Sequence, residues 1–167
     1  MKIADSLLPE FDQEMKGTRR VLERVPDGKP DWKPHDKSMA LGRLATHLAE
    51  IPQWTVNSLT KDGLDFDPKT YKSVILDKTA DILALFDANR AKGREALANA
   101  PDADFALPWS LRMMGKEMFA GTRGSTYRQF CVSHMIHHRA QLGVYLRLLG
   151  VPVPGVYGPT ADDQPRM

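Results

Sequence analysis

The chain has 167 residues, 42% of them hydrophobic and 26% charged, which fits one globular domain large enough to bury its own core. Its 23 basic and 21 acidic residues nearly cancel and no lysine or arginine block stands out, so nucleic acid is not an expected partner. A single cysteine excludes an internal disulfide and fits a reducing cytoplasm, and no apolar leader or run of about 18 apolar residues gives a reason to expect a membrane.

The first helix is expected over Ile3 to Val25, where Leu8, Phe11, Met15, Thr18, Leu22 and Val25 recur at spacings of three and four. Asp5 or Ser6 is the natural cap, and Pro26 ends the element. The proline-rich run from Pro26 to Lys37 reads as an irregular loop, and its His35 as a solvent-facing residue. A second helix is expected from an N-cap at Ser38 to about Leu59, with Leu41, Leu44, Leu48 and Ile51 on one face and His47 at its border. Pro52 removes the amide that would bond to Leu48, so a kink is expected there.

Lys61 to Lys72 reads as a turn-rich linker whose aspartates lack the spacing and closing glutamate of a calcium loop. A third helix is expected from about Ser73 to Ala98, carrying Leu76, Ile82, Leu83, Leu85, Phe86 and Leu97 but no histidine. The apolar stretch Trp109 to Phe119 breaks the helical period and suggests a short β-hairpin turning near Gly115-Lys116. The fourth helix runs from Arg123 or Ser125 to Leu149, closed by Gly150 and Pro152. Residues 151–167 read as an extended tail whose Val153, Val156 and Tyr157 pack on the body. These elements imply an all-α fold, an antiparallel four-helix bundle with the hairpin or an irregular insert before its last helix.

Three of the five histidines fall at His134, His137 and His138. On a helix His134 and His138 lie about 6 Å apart along the axis and about 40° around it, so both can grip one metal ion. His137 is turned about 60° from His134 and belongs at the rim. The third ligand has to come from another helix, and His47 is the histidine so placed. A hydrogen-bonded set of core histidines is the bland alternative. A di-iron site is excluded because it needs Glu-x-x-His motifs and the last helix has no glutamate. Cys131 shares the face of His134, but it lies about 10 Å along the axis from His138, and a small buried core residue is the expected role.

The run Ser38-Met-x-Leu-Gly-Arg-Leu-Ala-x-His47-Leu-Ala-Glu-Ile-Pro, then His134-x-x-His137-His138-Arg-x-Gln-Leu-x-x-Tyr-Leu-Arg, then Val-Pro-Val-Pro-Gly-Val-Tyr-Gly-Pro-Thr-Ala-Asp, resembles the DinB family over almost the whole chain. Ala140, where the family often has glycine, and Gly124 are departures from its pattern. The resemblance implies a homodimeric bundle holding a divalent metal, nickel or zinc, on three histidines, which map onto His47, His134 and His138. It also implies a small-molecule substrate, for which a low-molecular-weight thiol is a candidate, since some relatives are thiol-dependent S-transferases. The leading expectation is a metal-dependent thiol transferase. A metal-dependent hydrolase and a non-catalytic metal-binding stress protein are the alternatives, and no residue stands out as a catalytic base or nucleophile.

Overall fold

A computed structural model describes residues 2–163. Helix α1 spans Ile3–Leu22 and buries Phe11, Met15, Thr18 and Leu22 along the expected stripe. Its N-cap is Lys2 rather than Asp5 or Ser6, and the Asp5 carboxylate accepts the Lys2 amide at 3.0 Å. Helix α2 spans Leu41–Glu50 and α3 spans Gln53–Thr60, so the helix breaks where Pro52 withdraws its amide. Asn89 donates to the Ala49 carbonyl at the break, 2.9 Å away. The long helix that carries Asn89 approaches so closely that a Cβ on Gly93 would meet the Pro52 carbonyl oxygen at 2.7 Å.

Strand β1 covers Gly63–Phe66, inside the stretch expected as a linker. Helix α4 spans Thr79–Asn99 and starts later than Ser73. The six preceding residues form no helix, and tertiary partners claim the backbone here: Leu76 donates its amide to Thr46 Oγ1, and Thr79 donates its amide to Asp27 Oδ1, at 2.9 and 2.8 Å. A 3-10 turn at Asp102–Ala106 leads into β2, Pro108–Met113, and β3, Lys116–Thr122. These two form the expected hairpin, turning on Met114 (φ 51°) and Gly115 (φ 78°), two positive-φ residues as a type I′ turn requires. β1 adds to β2 in parallel, giving a three-stranded sheet. Trp109 anchors it: the ring is 1% exposed and donates to the Asn57 carbonyl at 3.1 Å.

The last long element is helical throughout but not uniformly α. A turn, α5 (Arg123–Thr126), passes into a π-helical segment, Tyr127–Ser133, and then into α6, His134–Leu148. Buried Arg123 ties the start of this element to α3, donating to Leu59 O and pairing with Asp62, both at 2.7 Å. α1 and α2 each pack on both α4 and α6. The molecule is thus mostly helical with a small sheet at one side.

The tail docks as expected in its first half, with Val153 and Val156 packed on the core, while its residues 164–167 lie outside the described residues. Its anchor is an ion pair between α1 and α6. Arg139 Nη2 lies 2.7 Å from Glu14 Oε2, with side chains 4% and 7% exposed, and the Tyr157 hydroxyl donates to that carboxylate at 2.8 Å. A pair this dry is stable only when its remaining polar atoms are satisfied. Arg139 Nη1 meets that need on Glu14 O and Thr18 Oγ1, at 3.1 and 3.2 Å. Among the described residues no helix is long and apolar enough to cross a membrane.

Candidate metal centre

Helix α2 presents His47 toward α6, and the first turn of α6 presents His134 and His138 toward α2. Four residues apart, the latter two share a face, and their Nε2 atoms are 2.7 Å apart. His47 Nε2 reaches His134 Nε2 at 3.2 Å across 87 residues of sequence. One ligand atom from each of the three lies within 4.8 Å of the others, which is metal-binding distance. The residues named from the sequence are the ones the fold brings together. His137 stays outside on the exposed side, its ring 4.9 Å from that of His138. His35 is remote from the set and accepts the Lys37 amide.

The surroundings orient the rings. Gln141 Oε1 lies 2.7 Å from His138 Nδ1, and an amide oxygen only accepts, so with this placement of the amide the proton sits on Nδ1 and the Nε2 lone pair points inward. His47 Nδ1 faces the Arg43–Glu50 ion pair, 3.7 Å from the carboxylate and 3.4 Å from the guanidinium. Both distances exceed a good hydrogen bond. The tautomer that sends the His47 lone pair inward is the one whose Nδ1–H faces Glu50. Burial alone would raise the Glu50 carboxyl, but His47 and Arg43 outweigh it and hold the group below its ordinary range. Glu50 therefore stays ionised. The i, i+3 spacings His47–Glu50 and His138–Gln141 were visible in the sequence, but only their position beside ligand histidines gives them meaning.

Burial, with the neighbouring imidazoles, lowers His134 to about 4 and lowers His138 as well. Both are neutral at physiological pH. One neutral ring can donate to one neighbour at most, so three converging Nε2 atoms cannot satisfy one another by hydrogen bonds alone. A cation accepts all three lone pairs. Imidazoles about 2.0–2.1 Å from a tetrahedral ion have nitrogens about 3.3 Å apart, so the His47–His134 distance fits and the His134–His138 distance needs only a slight opening. The donor set suits a divalent transition-metal ion.

Cys131 is fully buried, bonded to Thr55 Oγ1 at 3.0 Å, and its thiol is pushed up to about 12 by that burial. It is a protonated core residue outside the histidine set. The π-helical segment that holds it turns it away from the position an α-helix would give it.

The uncharacterized protein YrdA of Bacillus subtilis is 26% identical over 164 residues, covering 95% of this chain and 90% of its own length. A DinB-like protein from Bacillus cereus shares the fold with a TM-score of 0.70 at 22% identity, over 92% of this chain and 97% of that one. The DinB-like protein YjoA of Bacillus subtilis superposes with a TM-score of 0.65 at 18% identity, over 97% and 99% of the two chains. The sequence model of the DinB family matches residues 1–167, and the chain belongs to that family.

Proposed function

We propose that the protein is a metal-dependent thiol S-transferase working on a small molecule, with zinc or nickel held by His47, His134 and His138. The observation that carries this reading is the ligand set: three imidazoles converge with no carboxylate or thiolate among them. An ion so held keeps its full positive charge and an open position, and can hold an incoming thiol as its thiolate at neutral pH. The chain's own residues supply the rest. Gln141 orients the His138 ring, and Glu50, paired with Arg43 at 2.9 Å, faces His47 Nδ1. In the transfer, the sulfur electron pair forms a bond to an electrophilic carbon, the leaving group departs with its own pair, and the thiol proton passes to solvent.

The test is a panel of thiols and electrophiles given to protein loaded with zinc or nickel, with products read by mass spectrometry. Turnover that requires both metal and thiol is the expected result. Turnover in water alone would make the protein a hydrolase, and tight metal binding without turnover a non-catalytic metal-binding stress protein.

The same reading takes α1, α2, α4 and α6 as the antiparallel bundle, supported by their mutual packing, and places the protein in the cytoplasm. It also takes the protein as a homodimer. Trp109 is buried in its own chain, but Met114 at the hairpin turn is 60% exposed and free for such a contact. Light scattering at tens of micromolar should give twice the chain mass.

A further inference from the structure

Beside the histidines lies a cleft of about 740 Å³, within the range of small-molecule sites. It meets the metal centre at His47, which lines both, and the Arg43–Glu50 pair forms part of the same wall. The opposite wall comes from the sheet, which occupies residues that carried no chemical signal in the sequence. Phe66, Met113 and Met118 of the strands, together with Trp54 of α3 and Tyr71 after β1, make the lining apolar. The rings are held by their neighbours: Trp54 stacks on Phe130 at 5.4 Å, and Phe66 lies 4.7 Å from Tyr71 within the lining. Flexible methionines facing rigid rings form a surface that accepts flat molecules of varied outline.

One cationic group stands apart. The pairing of β2 with β3 shifts register between Leu111 and Arg112, and both of these residues line the cleft. Of the two arginines in the lining, Arg43 is spent on Glu50, whereas Arg112 has no ion-pair partner among the described residues. Its cross-strand neighbour Asp65 accepts the Gly115 amide at 3.1 Å instead. A guanidinium without a partner at the edge of an apolar cleft is a ready fork for a carboxylate or sulfonate.

We propose that this cleft is the subsite for the electrophilic substrate, and that it takes a small, flat, largely apolar molecule bearing one anionic group, with the rings on Trp54 and the anion on Arg112. The inference rests on the transferase reading above. It places the carbon to be attacked next to His47 and makes the sheet the specificity-determining part of the fold.

The test uses zinc-loaded protein and two fluorescent probes with the same rings, anilinonaphthalenesulfonate and its neutral counterpart N-phenylnaphthylamine. The sulfonate should bind the tighter by about fivefold, the worth of a partly exposed ion pair, and Arg112→Gln should abolish that preference. Trp54→Ala should weaken both probes by about tenfold. Met118→Glu, at a 55% exposed position that does not threaten folding, should weaken the sulfonate more than the neutral probe. Val144→Asp, in the separate groove between α6 and the tail, should change nothing. Loss of binding in Val144→Asp, or unchanged binding in both Arg112→Gln and Met118→Glu, would overturn the proposal. The two readings fail separately. Probe binding in the cleft without thiol turnover would remove the transferase and leave the subsite. Turnover whose KM ignores Arg112→Gln and Met118→Glu would remove the subsite and leave the transferase.

Discussion

Gln141→Leu isolates the device that orients His138. Gln141 is exposed on α6, so its replacement by a helix-forming apolar residue of similar size leaves the core and the helix intact. What disappears is the acceptor 2.7 Å from His138 Nδ1. Without it the ring is free to turn, and the tautomer with its proton on Nε2, which cannot bind metal, gains population. Loss of such a partner costs about 10- to 100-fold in metal affinity, or about 1.4–2.8 kcal/mol. Competition for zinc against a chromophoric chelator at neutral pH measures this directly, with circular dichroism confirming the fold. Gln141→Glu keeps an acceptor at the same place and should hold affinity near that of the natural protein. If Gln141→Leu binds zinc within about twofold of the natural protein, His138 is held by packing alone and the orienting role is wrong.

Three further outcomes are expected. Alanine at His47, His134 or His138 should remove most bound metal by elemental analysis, while His137→Ala keeps it; the reverse pattern would mean that another register of α6 faces the ion. Cys131→Ser should retain metal and lose about 1–2 kcal/mol in chemical denaturation, because a more polar group replaces a fully buried thiol. A cobalt-substituted sample should correspondingly show no thiolate charge-transfer band in the absence of added thiol. The metal-free protein should lose stability as the pH falls below the ordinary histidine value of 6.5 toward about 4. Between those values the unfolded chain protonates His134 and the folded chain does not, so unfolding takes up a proton and acid favours it. Denaturation midpoints that stay flat from neutral pH to about 4 would show that His134 is not depressed.

What the sequence determined by itself was local or periodic. The apolar stripe through Phe11, Met15, Thr18 and Leu22 marked α1, Pro52 marked the break between α2 and α3, and Gly115 marked the hairpin within a residue of its turn. The HxxxH spacing placed His134 and His138 on one face because helix geometry alone fixes it. His47 could be named as the third member because it was the histidine on another helix's inner face. The tertiary structure decided whatever depended on a partner far along the chain. Asp27 accepts the Thr79 amide from 52 residues away, so α4 starts there and the apolar residues before it stay outside the helix although their pattern suits one. β1 exists only because β2 offers it an edge, and four residues of mixed polarity give no sign of this. The π-helical turn around Cys131 carries no periodic signature in so short a segment. The cleft beside His47 is likewise a product of assembly. Its walls come from α2, α3, α4, all three strands and the segment after β1, and a cavity between elements has no counterpart in the order of residues along any one of them.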